Sequence, residues 1–191
     1  MVASASSTPQ PSALTTLIGS TNSAADAVAA LSVQILHNLQ HQHLWTSLRI
    51  HDPCSLSPRQ HAPLISGFPP QTVYTHPDEQ AYLLEHRISP DSVPVEREWI
   101  IPTAQGQSWT LKKLSGLFDS LPEKKEDLPE EDISAEGKPR DMKLEEFIRR
   151  KKEEPWAGKR ALLAMVNRNM GGDGTVVYYV VLEGAIKPRQ N

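Results

Sequence analysis

The sequence predicts a single α/β domain, with a disordered N-terminal tail over residues 1–22 and a charged insert over residues 121–158 that interrupts the domain. Three observations predict it. ALLAMV (161–166) and TVVYYVVL (175–182) are nearly continuous apolar runs joined by a glycine-rich segment. Ala24, Val28, Leu31, Ile35 and Leu39 recur at helical spacing. The apolar run EWIIP (98–102) leads into a second helical pattern near residue 108.

Residues 1–25 carry no charge and ten Ser or Thr, with Pro9 and Pro11 among them, so they bury little and are expected to form a flexible tail. Ser23 and Asp26 make a capping-box pattern that starts one amphipathic helix over residues 23–42. LWTSLRI (44–50) follows as a strand. Five prolines from Pro53 to Pro70 predict a loop over 51–70, since each removes a ladder donor. QTVYT is expected to resume extended structure. HPDEQAYLLEHRI stays open between two readings: Pro77 with Asp78 and Glu79 suits a first helical turn, while Ala81 to Leu84 suits a strand. EWIIP is a strand stopped by Pro102, and Leu111, Leu114, Leu117, Phe118 and Leu121 mark one face of a helix over 108–120.

Residues 121–160 hold 23 of the 43 charged residues, twelve acidic and eleven basic, which marks a solvated insert. Ordering LPEKKEDLPEEDISAEGKP (121–139) would cost about 1–2 kcal/mol per residue with little burial in return, so disorder is expected there. MKLEEFIRRKKEE (142–154) is helix-prone and is expected to form a short exposed helix. The two terminal apolar runs form a core hairpin across NRNMGGDG, whose glycines supply the positive φ of a reversal. AIKPRQN ends the chain as an edge segment limited by Pro188.

A formal net charge of −3 gives no global basic field that would announce a nucleic-acid or membrane partner, so any nucleic-acid contact is local. Cys54 is the single cysteine, which excludes an intramolecular disulfide and a CxxC zinc site. The apolar runs fall short of the roughly 20 residues of a membrane span, and a soluble protein is expected. His37, His41 and His43 have a spacing that could chelate zinc, but no third ligand or catalytic Glu is indicated, so exposed helix histidines are expected and no metal. GGDG lies between two strands, without the helix N-terminus that phosphate binding requires, and reads as a turn. The basic cluster of Arg149, Arg150, Lys151, Lys152, Lys159 and Arg160 could meet RNA phosphate, which keeps a free-standing RNA-binding adaptor as the alternative function.

The runs HAPLISGFPPQTVYTHPDEQ, EREWIIPTAQGQSWTL, KRALLAMV and TVVYYVVLEGAIKPRQN resemble the fungal form of the Sen15 family, the smallest subunit of tRNA-splicing endonuclease. The resemblance covers about residues 28–120 and 159–191. It implies a tRNA-intron endonuclease-like mixed sheet flanked by helices and a non-catalytic, structural role. It also implies pairing with a catalytic subunit within a heterotetramer that excises introns and meets pre-tRNA through the complex. A homodimer of the isolated chain, and a nuclear location or one on the cytosolic face of mitochondria, are compatible with it. No cofactor is implied.

Catalysis of this family's kind resembles a ribonuclease mechanism that needs a tyrosine, a histidine and a lysine together. Lys159 falls near the family lysine, just before an apolar strand, but Tyr74 and His76 in VYTHP do not match the contexts of the catalytic subunits. No catalytic residue is therefore expected. The partner-binding residues expected are Thr175, Val177, Tyr179 and Val181 on an unfinished sheet edge, extended by Ala185 and Ile186. Asp173 joins them as the single acid of a loop that, in the family's relatives, plugs a basic pocket of a catalytic subunit; the same residue reads equally as a simple turn residue.

Overall fold

A computed structural model describes residues 24–122, 142–153, 156, 158–167, 175–183 and 185–188. The expected tail, residues 123–139 and the glycine-rich reversal at 168–174 lie outside the described residues, as does Ser23 of the capping-box pattern. The elements run α1 (Ala24–His41), β1 (Thr46–His51), β2 (Leu64–Phe68), α2 (Pro77–His86), a 3-10 turn (Pro90–Ser92), β3 (Glu98–Ala104), α3 (Leu111–Ser120), α4 (Met142–Glu153), β4 (Arg160–Asn167), β5 (Thr175–Leu182) and β6 (Ala185–Pro188).

The six strands form one sheet in sequence order. Every neighbouring pair is antiparallel except β3 and β4, which run parallel with Ile100 opposite Leu162 and Ala104 opposite Val166. A parallel pair needs a crossover, and the stretch holding α3 and the charged insert supplies it. The sheet is thus mixed, as expected.

Paired apolar residues on each central strand point to opposite faces because the side-chain period of a strand is two. Ile65, Ile100, Leu162 and Val180 meet Leu31, Ile35 and Leu39 of α1 on one face. Leu64, Ile101, Ala161 and Val181 meet Leu117, Phe118 and Leu121 of α3 on the other. Burial on both faces explains why β4 and β5 read as continuous apolar runs. α1 and the β4–β5 hairpin follow the sequence reading closely, with Asn167 opposite Thr175 at the reversal.

Several segments depart from that reading. Residues 51–70 are not all loop, because Leu64–Phe68 is β2, paired with both β1 and β3. Pro63 and Pro69 flank this strand and do not interrupt its ladder. Gly67 sits where β1 approaches, and an added Cβ there would lie 2.7 Å from Leu48 Cδ2. QTVYT forms no strand. Pro102 does not end β3, which continues to Ala104: β2 pairs only as far as Ile100, so Pro102 lies past the antiparallel ladder and pairs with β4 alone. Leu111 belongs to no core face; it opens α3 and is 88% exposed.

The segment left open between helix and strand is α2, with Pro77 in its first turn and His76 as N-cap, accepting from Asp78 N. Arg87 closes the helix in the left-handed conformation. The helix of the charged insert is docked: Phe147 is fully buried with Leu83 and Ile88, and Leu144, Ile148 and Trp156 pack around them. An amphipathic helix gains most of its stability from a surface for its apolar face, and α2 provides that surface.

Candidate partner-binding surface and the family lysine

The carboxyl half of the chain builds the last three strands, and with them most of the expected partner surface. β5 pairs with β4 along its whole length and with β6 from Tyr179 to Leu182, the two ladders lying on opposite sides. The expectation of an unfinished edge over Thr175–Leu182 is therefore corrected. The turn at Glu183 folds β6 back on β5, so β6 is the outer strand and only Thr175–Tyr178 lacks a β6 partner among the described residues. Ala185 and Ile186 lie on that outer strand, opposite Leu182 and Val181.

Side-chain direction sorts the other expected contacts. Thr175, Val177, Tyr179 and Val181 share one face of β5 by strand alternation. Val181 is buried under α3 in the core and cannot reach a partner, so it leaves the partner-binding set. Beyond the cover of α3 the same face opens: Thr175 and Val177 are exposed, and Tyr179 is half-buried beside Leu163. Met165, opposite Val177, is likewise half-buried. This arrangement can offer main-chain groups along the outer strand and an apolar strip beside it. Asp173 lies outside the described residues.

Lys159, at about the place of the family lysine, is half-buried, and its Nζ donates to the carbonyl oxygens of Leu121 at 2.7 Å and Phe118 at 3.2 Å. These carbonyls lie at the C-terminal end of α3, where the Phe118 carbonyl also accepts from Leu121 N, so the ammonium meets the negative end of the helix dipole. Neither Tyr74 nor His76 joins it by any contact among the described residues. The Tyr74 carbonyl accepts from Arg160 Nη1 at 3.0 Å, and His76 caps α2. Lys159 is thus engaged at the end of α3 and His76 at the start of α2.

The basic cluster is taken apart by the fold. Arg160 is buried, and its Nε donates to Glu98 Oε2 at 3.0 Å while its Nη2 pairs with Glu98 Oε1. Burial pulls the Arg160 pKa down, but the charge and hydrogen bonds of Glu98, with the charges of Glu96 and Glu79, outweigh it and hold the guanidinium above its ordinary value. Lys151 lies between Glu79 at 2.6 Å and Glu96 at 2.8 Å, and Arg150 stacks over the Tyr82 ring at 4.9 Å. Arg149 and Lys152 remain exposed. Three of the six basic residues, Lys151, Lys159 and Arg160, are thus held by internal partners. Sequence reasoning missed the acidic half of this network, although Glu98 and Arg160 each stand two residues before an apolar pair of their strand.

His37 and His41 lie with ring centroids 4.4 Å apart on α1, and the His43 ring meets the edge of Tyr178 at 5.2 Å. Among the described residues, no three His, Cys, Asp or Glu side chains are grouped to hold a metal ion. No helix among them is long and apolar enough to cross a membrane.

A probable tRNA-splicing endonuclease subunit, tsp-1 of Neurospora crassa, is 34% identical over 195 aligned residues that span 98% of this chain and 77% of the relative. The family model described as Sen15 protein matches residues 34–135 and 138–191, a span that takes in the strands, α2, α3, α4 and the last two turns of α1. On that match the chain belongs to the Sen15 family.

Proposed function

We propose that this chain is a non-catalytic structural subunit of the tRNA-splicing endonuclease, pairing with a catalytic subunit and meeting pre-tRNA through the assembled complex. The similarity to a tRNA-splicing endonuclease subunit supports membership of the complex. The observation that carries the non-catalytic reading is the engagement of Lys159: its ammonium lies on the Phe118 and Leu121 carbonyls and is not paired with a tyrosine and a histidine. A lysine that stabilises a developing phosphorane needs its proton donors within hydrogen-bond reach of the same phosphate.

The pairing surface of this reading is the outer strand β6 with Thr175, Val177 and Tyr179 of β5. Strand addition supplies main-chain hydrogen bonds, and the apolar strip supplies packing, which together suit a partner of like fold. Asp173, at the reversal between β4 and β5, is the contact to a basic pocket of the opposite pair in a heterotetramer. The complex is placed in the nucleus in this reading, with the cytosolic face of mitochondria as the other location. Nothing favours the RNA-binding adaptor, because Arg160, Lys151 and Lys159 are spent on internal partners.

Co-purification tests the reading. The chain expressed with a catalytic endonuclease subunit is expected to elute with it in a stoichiometric complex, and alone to leave an intron-containing pre-tRNA uncut. Cleavage by the chain alone, lost in Lys159→Ala, overturns the non-catalytic role; failure to associate with any endonuclease subunit overturns membership.

A further inference from the structure

Three basic side chains gather around one hydroxyl at the edge of the sheet away from β6, where β1 is the outer strand. Arg49 stands opposite Ser66 in register. His51 Nε2 lies 2.9 Å from Ser66 Oγ, and Arg97 Nη1 donates to the same oxygen at 3.4 Å. Strand alternation puts Arg49 and His51 on one side of β1, and the His51 ring meets Trp99 of the α3-covered core at 5.0 Å. The cluster therefore lies on the α3 face of the sheet. Arg97 is fixed there twice more: its Nη1 donates to the Ser47 carbonyl at 3.3 Å, and its guanidinium lies 4.4 Å over the Phe68 ring. Arg49 is exposed, and Arg97 and His51 are half-buried.

The carboxylates next to Arg97 in the chain are turned to the other face. Glu96 and Glu98 both reach Arg160, which shares the α1 side of β4 with Leu162. Asp52 lies past the end of β1 beyond His51, whereas Arg97 sits at the Thr46 end, over the Phe68 that pairs with Thr46. Arg59, on the loop after β1, is taken by Asp119 at 2.9 Å and stands outside the cluster. A fixed guanidinium beside an exposed one makes a local field for an anion within a chain of net charge −3. The planar fork of arginine matches the oxygens of a phosphate.

We infer that this face at the β1 edge holds a phosphodiester of the pre-tRNA backbone, with Arg49 on the phosphate oxygens and Arg97 as a second, fixed charge. The inference rests on membership of the endonuclease, which is what brings RNA to the chain, and it makes that meeting direct. Position favours it, because the proposed pairing strand β6 is the opposite edge of the sheet, five strand spacings or about 24 Å away. A partner added at β6 does not cover β1. The site offers charge and no donor–acceptor pattern for a base, so it positions RNA without reading sequence.

Titration of labelled intron-containing pre-tRNA with the assembled complex, repeated over a range of salt concentrations, tests this. Arg49→Glu is expected to weaken binding roughly tenfold and to lower the slope of log affinity against log salt by about one, with the unfolding curve of the chain unchanged. Arg49→Lys, which keeps the charge, should retain the slope. Arg97→Gln should lower the slope by a similar amount; if that variant does not fold, because its bonds to Ser47 and Ser66 also support β1, the Arg49 pair carries the comparison. Affinity and slope unmoved by Arg49→Glu in a fully assembled complex overturn the inference and leave membership intact. Weakened assembly with unchanged RNA affinity of the assembled fraction assigns Arg49 to a protein partner and overturns it as well. A parent chain that assembles with no catalytic subunit overturns the proposed function, and this inference with it.

Discussion

Glu98 and Arg160 open two parallel strands and meet across them, Arg160 Nε donating to Glu98 Oε2 at 3.0 Å although the two stand 62 positions apart in the chain. The pair is buried, and Arg160 also holds the Tyr74 carbonyl. One guanidinium thus ties β3, β4 and the segment leading into α2 together.

Removing one member of that pair leaves a charge without its partner in the interior. Arg160→Met is expected to destabilise the domain by about 3–5 kcal/mol in urea unfolding, because Glu98 and Glu96 lose their shared cation. Adding Glu98→Leu to that variant should recover part of the loss, since two apolar groups need no compensation. A double variant no more stable than Arg160→Met would show that the pair is not the source.

Lys159→Met tests the helix-cap role. The side chain keeps its length and loses its bonds to Phe118 and Leu121, so a loss of about 1–2 kcal/mol is expected, seen as a lower urea midpoint. In the assembled endonuclease, cleavage per complex should be unchanged. A fall in the cleavage rate of a fully assembled complex would return Lys159 to the chemistry.

On one face of β5, Val177 and Val181 should separate binding from folding. Val177→Glu is expected to leave the unfolding curve near that of the parent while weakening association with the catalytic subunit, because Val177 is exposed. Val181→Ala removes buried methyls and should destabilise by about 2 kcal/mol with association by the surviving folded chain unaffected. Calorimetric binding and thermal unfolding on both variants distinguish the two effects.

Deleting residues 183–191 removes β6 and exposes the outer side of Tyr179–Leu182. The truncated chain should remain folded, since the ladder between β4 and β5 and both helix-covered cores persist, yet pair more weakly in size-exclusion chromatography. Undiminished pairing by the truncated chain would place the partner elsewhere.

Asp173→Ala addresses the reversal between β4 and β5. A carboxylate seated in a cationic pocket loses about 2–5 kcal/mol of assembly on truncation, whereas a turn residue facing water loses little. The expected result is a four-subunit complex that dissociates at lower salt with unchanged stability of the isolated chain. Assembly as salt-resistant as the parent's would reduce Asp173 to a turn.

Much of the fold was legible in the sequence wherever the signal is local. The spacing of Leu31, Ile35 and Leu39 specifies α1 because helical period alone puts them on one face, and the runs at 161–166 and 175–182 announce strands covered on both sides. The family was legible for the same reason, since its quoted runs are contiguous stretches of chain. Tertiary structure alone decided the rest. LISGF became β2 because β1 and β3 lie on either side of it, and no window of sequence contains those neighbours. Phe147 became core because α2 offered a surface, and Val181 became core because α3 covers the half of β5 nearest Leu182. The basic run at 149–160 was divided, with Arg160 and Lys151 drawn into ion pairs and Lys159 onto the end of α3, once parallel pairing of β3 and β4 set Glu98 beside Arg160. Helix period and strand alternation are properties of neighbouring residues, whereas burial and charge pairing depend on which distant segments the folded chain brings into contact.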